Sequence, residues 1–231
     1  MAKIKLGILG GFSGKVGTVI GSSWNSISYM RALTKSYKDP ETEGQMCQRG
    51  KFAATVNFLK KITPYLRIGY RERPAGQSTY SAAMSYVLSY AVDGCGSDAQ
   101  VNFTRALVSR GNLTMTMDAT ASVAGGTVTY TWTDNSGNGN AEATDVAMLL
   151  AYNKDKEEAV YNTAAGTRAD GEASLTLPTA WDGDALAVYL SFYSEKGKSV
   201  TNSLCLHDDE TAGGNTGTGG DEEDDGDHQL G

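Results

Sequence analysis

Between Leu113 and Leu206 the chain repeats one pattern seven times: a short run rich in β-branched, aliphatic and aromatic residues, then a turn signal. The runs are Leu113–Asp118, Thr127–Thr133, Val146–Tyr152, Glu158–Thr163, Ala173–Leu177, Leu186–Tyr193 and Val200–Leu206. Most are separated by "VAGG", "DNSGNGN", "YNKDKEE", "AAGTRADG" and "EKGK". Gly, Asn and Asp tolerate the backbone angles that tight turns require, so such segments stop one strand and reverse the chain into the next. Seven short strands at this spacing predict a two-sheet sandwich of immunoglobulin or fibronectin type III style over 112–206. No cysteine pair is placed to join its sheets, so the likeness is one of architecture.

Residues 1–111 read differently, and the fold class is therefore α+β, mainly β. Up to about Lys38 the chain is rich in Gly, Ser and β-branched residues, which predicts short extended segments around turns. A helix is expected in "DPETEGQMCQRGKFAATVNFLKK", with Asp39 as N-cap, Pro40 at the first helical position, and Met46, Phe52, Ala53, Val56 and Leu59 facing the core. Pro64 ends it or opens the next turn. A second helix begins near Ser78, with Tyr80, Met84, Val87, Leu88 and Ala91 as its buried stripe, and "DGCGSD" stops it. Residues 207–231 hold nine acidic residues among Gly and Thr, cannot bury apolar area, and are expected to form a disordered tail.

Charge is uneven along the chain. Residues 1–75 carry thirteen Lys/Arg against four Asp/Glu, whereas the remainder carries seven against twenty-three. Such asymmetry points to an anionic partner for the basic part, to contact between oppositely charged parts of neighbouring subunits, or to a basic solvated face with an acidic tail. Cys47, Cys95 and Cys205 are widely spaced and odd in number, which predicts no disulfide framework and fits a reducing compartment or simple core packing. No run is long and apolar enough to span a membrane. Lys15 interrupts the apolar stretch after Lys3 and Lys5, no signal peptide is recognised, and the expected location is cytoplasmic or virion-associated.

Few residues carry obvious chemistry. The opening "GILGGFSGKVG" approaches a phosphate loop, but Leu9 stands where the first glycine belongs and Val16 replaces the metal-binding hydroxyl. Its glycines are instead expected to serve tight turns and close packing. His207 and His228 are the two histidines, neither with an evident catalytic partner, so neither a Ser-His-Asp site nor a His/Cys zinc site is expected. "DNSGNGNAEATD" places Asp134, Ser136, Asn138 and Asp145 at calcium-loop positions 1, 3, 5 and 12; the competing reading is a polar hairpin connection. No cofactor is expected.

The strongest candidate site is basic. Lys35, Lys38, Arg49, Lys51, Lys60, Lys61, Arg67, Arg71 and Arg73 occur with Tyr37, Tyr65 and Tyr70, a combination that could hold phosphates and stack on bases. No nucleic-acid-binding motif accompanies it.

"LGILGGFSGKVGTVIGSSW", "YMR" and "DPETEGQMCQRGKF" resemble a Bacteroidota domain of unknown function of about this length. That family is similar in a glycine-rich opening, an N-P-x-T-x-x-Q-x-x-x-R segment and a β-rich half ending near "GKSVTNSLCL". Asp39 stands here where the family has Asn, and Gln45 and Arg49 match on one helical face. The resemblance implies no activity, although the same pattern resembles segments of some phage and mobile-element structural proteins.

Together these readings point to a non-enzymatic binding or assembly protein whose partner is itself or another protein. Lys15, Arg31, Gln45, Arg49, Lys51, Lys60, Lys61, Arg67 and Arg71 would form its interaction face. The alternative is a nucleic-acid-binding protein using the basic region, with nucleotide or calcium binding behind it.

Overall fold

In a computed structural model the described residues are 2–4, 10–24, 26–34, 36, 39, 41–194 and 196–209. Pro40, expected as the first helical residue, and the expected tail beyond Asp209 lie outside them. The glycine-rich opening folds as a small antiparallel sheet, ordered β1 (Lys3–Ile4), β2 (Phe12–Val16), β3 (Val19–Trp24) and β4 (Ile27–Ala32). Gly17 closes the β2–β3 turn at φ 55°, a conformation that costs glycine nothing. Lys15 thus sits mid-strand, its backbone in a β-ladder and not at a helix N-terminus.

Three helices follow: α1 (Glu43–Lys61), α2 (Thr63–Gly69) and α3 (Thr79–Tyr90). The N-cap of α1 is Thr42 and not Asp39, because the Asp39 carboxylate is engaged elsewhere: it pairs with Arg49 at 2.5 Å and accepts the Glu41 N–H at 3.3 Å. The expected apolar stripe is covered only in its C-terminal half, where Thr55, Phe58, Leu59 and, just past the helix, Ile62 are buried; Met46 and Phe52 stay exposed. Pro64 lies in the first turn of α2, where its missing N–H leaves no bond unmade. Ser78 caps α3, its hydroxyl accepting the Ser81 N–H at 3.0 Å. A short ribbon of β5 (Val92–Asp93) and β6 (Gln100–Val101) follows.

The remaining strands are β7 (Met117–Ala124), β8 (Thr127–Thr133), β9 (Val146–Asn153), β10 (Glu158–Thr167), β11 (Glu172–Thr176), β12 (Leu186–Tyr193) and β13 (Leu204–Asp208). They form two antiparallel sheets, one ordered β10-β9-β12-β13 and one β11-β8-β7. All seven expected runs contribute, with two corrections at the margins. Leu113 to Thr116 precede the first strand, which extends instead to Ala124, and Val200 makes only an isolated bridge to Tyr193 before the last strand opens at Leu204. The protein is a mixed α and β structure built on antiparallel sheets, none closed into a barrel among the described residues.

Two buried clusters share the four-stranded sheet. On one face Leu149, Ala151, Val188 and Leu190 meet Val128, Tyr130 and Leu175 of the three-stranded sheet. On the other, Met148, Leu150, Tyr152 and Tyr189 meet Phe58, Leu59, Tyr65 and Val87 of the helices. Being covered on both faces explains why β9 and β12 read as continuous apolar runs with no polar alternation.

The expectation of no disulfide is wrong: Cys47 and Cys95 are bonded, with Cα atoms 4.5 Å apart across 48 residues of sequence. Gly50 makes this possible. A Cβ there would collide with the backbone of Gly96, so the glycine lets the Cys95–Gly96 turn lie directly against α1. Sequence spacing carries no trace of that approach. Cys205 is the free thiol, half-buried on β13, and burial pushes its pKa up to about 11, the nearby Asp208 charge adding to the effect.

Candidate functional site

Antiparallel pairing fixes which side chains of the N-terminal sheet share a face. Lys15 pairs with Ile20, and Ile20 pairs with Arg31, so the three form one row across β2, β3 and β4. Two residues along lie Ser22 and Tyr29, and beyond them the Trp24–Ile27 pair closes the hairpin. This face presents an apolar strip of Trp24, Ile27 and Tyr29 with two cations at one end. Trp24 is 68% exposed and Ile27 65%, values that would be unusual for side chains serving only to fold the chain. The other face carries Met30, Val16 and Val19, also exposed. No residue from Phe12 to Ala32 belongs to either buried cluster among the described residues.

What holds this arm together is local. Gly21 is buried beneath Phe12: a Cβ at position 21 would meet the Phe12 carbonyl oxygen and lie 2.5 Å from its ring. The glycine loop is therefore a strand pair whose small residues admit one aromatic ring across the ladder.

The other candidates are dispersed. Gln45 and Arg49 are exposed on the first turns of α1, and Arg49 is tied to Asp39. Lys51 is half-buried near Asp93. Lys60 and Lys61 end α1, and Arg67 is exposed on α2. The guanidinium of Arg71 lies 4.8 Å over the ring of Tyr193. Tyr65 and Tyr70, offered as stacking rings, are core residues: the Tyr65 hydroxyl is 2.7 Å from Ser191 Oγ, and the Tyr70 hydroxyl donates to Leu107 O at 2.8 Å. Burial raises the pKa of both phenols. Lys35, Tyr37 and Lys38 lie outside the described residues.

The calcium-loop candidates are not brought together. Asp134 folds back on its own turn, accepting the Ser136 N–H at 2.9 Å and the Ser136 hydroxyl at 3.1 Å, and Asn138 is exposed. Asp145 turns inward, fully buried, and pairs with the fully buried Arg168 at 3.2 Å. Arg168 also donates to Asn135 Oδ1 at 2.7 Å and Thr114 O at 3.1 Å, and its guanidinium lies 4.5 Å over the Phe192 ring. Burial lowers the Arg168 pKa, and the charge of Asp145 opposes that. Arg168 therefore cross-links the loops at one end of the sandwich, a role no local spacing signals. His207, read as lacking a partner, meets Asp209 Oδ1 at 2.8 Å.

A family model matches residues 11–207, most of the chain. The chain belongs to DUF6266, a family of unknown function. No match was found among curated proteins or among solved structures. The DUF6266 match runs from Gly11 to His207, so it takes in the exposed β2–β4 arm, the helices, the buried Arg168 cluster and most of the last strand. None of the described helices is long and apolar enough to cross a membrane.

Among the described residues, two cavities of useful size have no signal in the sequence. One, of about 630 Å³, opens between α3, the segment that precedes it and residues 110–112, and is flanked by Arg73, Tyr86, Tyr90 and Arg110. Here Arg110 stacks on Tyr86 at 5.2 Å. The other, of about 720 Å³, lies among the loops at one end of the sandwich. Neither could be found from sequence, since each is assembled from segments far apart in the chain.

Proposed function

We propose that this DUF6266 protein is a non-enzymatic binding and assembly protein of structural type, whose docking element is the β2–β4 arm and whose sandwich serves as spacer and second contact. The observation that carries this reading is the strip of Trp24, Ile27 and Tyr29, presented to solvent beside Lys15 and Arg31. Exposed apolar side chains in one contiguous strip are favoured where a partner covers them. Among the described residues β4 also leaves an open sheet edge, a template for strand pairing.

The sandwich is read as immunoglobulin-like of the fibronectin type III kind. Support comes from its seven strands split three and four, with the first, second and fifth in one sheet and the third, fourth, sixth and seventh in the other. The Cys47–Cys95 bond favours a site of action outside a reducing cytoplasm, which suits a particle surface of phage or mobile-element type better than the cell interior. The motif likeness to a Bacteroidota family and to phage structural proteins agrees with that placement. The dispersed cations and the buried Tyr65 and Tyr70 favour protein over nucleic acid as the partner.

Light scattering on the purified chain at low and high salt tests the reading. The expected result is a mass above the 24.4 kDa monomer that falls when Ile27 and Met30 are both changed to Lys. A monomer throughout, or an assembly indifferent to these changes, refutes it.

A further inference from the structure

The loop-end cavity of about 720 Å³ has an apolar floor and an acidic rim. Leu177, Trp181 and Leu186 line it with Asp155, Asp182 and Asp184. Asp184 is neutralised by Lys156, with Asn153 also donating to it, and Asp155 accepts the Ala185 N–H at 2.7 Å. Asp209 reaches the cavity as well, engaged by His207 and by the Leu186 N–H. Asp182 is exposed, and among the described residues no cation is recorded against it or against Asp155. The cavity lining includes no Lys or Arg.

The arm is its chemical complement. Its face carries Trp24 and Ile27 at the hairpin tip, then Tyr29, then the cations Lys15 and Arg31. An apolar tip enters an apolar floor while the cations behind it meet carboxylates at the rim, and a volume of this order accommodates one large aromatic side chain with its neighbour. No arm residue lines the cavity of its own chain.

We propose that the β3–β4 hairpin of one copy seats in the loop-end cavity of a second copy. This rests on the arm reading above and gives it a partner. The occupant is a second copy because one chain holds both halves of a matched pair, the basic half within residues 1–75 and the acidic half beyond, in a molecule whose charge divides along the same line. The two surfaces differ, so the contact is heterologous and each subunit offers a tip and a socket. Such contacts propagate head to tail, closing as a ring or extending as a filament.

Complementation of two full-length variants tests this. Trp24→Ser/Ile27→Ser disables the tip, and Thr179→Arg/Asp182→Lys, at two cavity-lining positions, disables the socket; all four residues are exposed, so the melting temperature should be that of the wild type. Light scattering is expected to show wild-type assembly, each variant alone as a 24.4 kDa monomer, and an equimolar mixture at twice that mass and no more. That stop at two follows because only one tip and one socket remain per pair. A socket variant that assembles like wild type overturns the inference, as does a mixture that stays monomeric while wild type assembles. Both results leave the arm standing as a docking element of another kind. A wild-type monomer at all salt concentrations overturns the inference and the arm-assembly reading together.

Discussion

Replacing Arg168 with Met tests the account of the buried Asp145–Arg168 pair most sharply. Both Arg168 and Asp145 are fully buried, so Arg168→Met leaves a carboxylate in the interior with no cation. It also strips Asn135 Oδ1 and Thr114 O of their guanidinium donors. One Asp145 oxygen already has no hydrogen-bond partner, so the site has little slack to absorb the change. Breaking a buried pair by removing one partner costs about 3–5 kcal/mol. At roughly 2–4 °C per kcal/mol for a chain of this size, the melting temperature should fall by about 6–20 °C. Urea unfolding followed by tryptophan fluorescence reads this directly, because Trp132 donates from its ring nitrogen to Arg168 O at 2.8 Å. The double variant Asp145→Leu/Arg168→Met should recover part of the loss, since no uncompensated charge remains. It should still lie about 1–3 kcal/mol below wild type for the acceptors left unpaired. A single variant within 1 kcal/mol of wild type, roughly a fivefold change in the folding equilibrium, would show that water reaches the cluster. A double variant less stable than the single would show that the uncompensated charge is not the cost.

Three further outcomes follow from other parts of the molecule. Closing a loop of 48 residues stabilises by about 4 kcal/mol on the chain-entropy argument, so Cys47→Ser/Cys95→Ser should unfold at correspondingly lower urea; alkylation in denaturant should add one label before reduction and three after, and three labels before reduction would show that the bond does not form. Gly21→Ala should disorder the β2–β3 pairing and abolish assembly while leaving the main unfolding transition unchanged; unaltered arm amide exchange by NMR would contradict the Phe12–Gly21 packing. The Cys205 thiol is raised by burial, so its reactive thiolate is scarce below about pH 11; native-state alkylation at pH 8 should run about 100-fold slower than in the unfolded chain, and equal rates would count against the packing of β13.

The elements legible in the sequence were those whose cause is local. Ser78 caps α3 through a hydroxyl three residues from its target, Pro64 opens α2, and the Leu186–Tyr193 and Thr127–Thr133 strands lie where their composition puts them. What escaped has a remote cause. Asp39 is a good cap by composition, yet an arginine ten residues on competes for its carboxylate. Asp145 fits position 12 of a calcium loop until Arg168, from another connection, turns it inward. Cys47 meets Cys95 because Gly50 lets a turn lie directly against the helix. For the interaction face, Lys15 and Arg31 stand out in the sequence by their charge. The strip of Trp24, Ile27 and Tyr29 beside them follows from strand register, which the glycine-rich sequence did not specify.

One rule then accounts for both the core and the arm. An apolar sheet face must be covered, and the unbroken apolar runs of β9 and β12 are covered twice, by helices on one side and by the second sheet on the other. Among the described residues β4 has no such cover: all six of its residues are exposed, Met30 at 70%. The described sandwich and helices bury their apolar surface without the arm, so the arm's apolar side chains add nothing to either buried cluster. Under the proposed assembly their contribution comes from the surface they meet on a partner, so substitutions on β4 should register in association and leave the stability of the isolated fold in place.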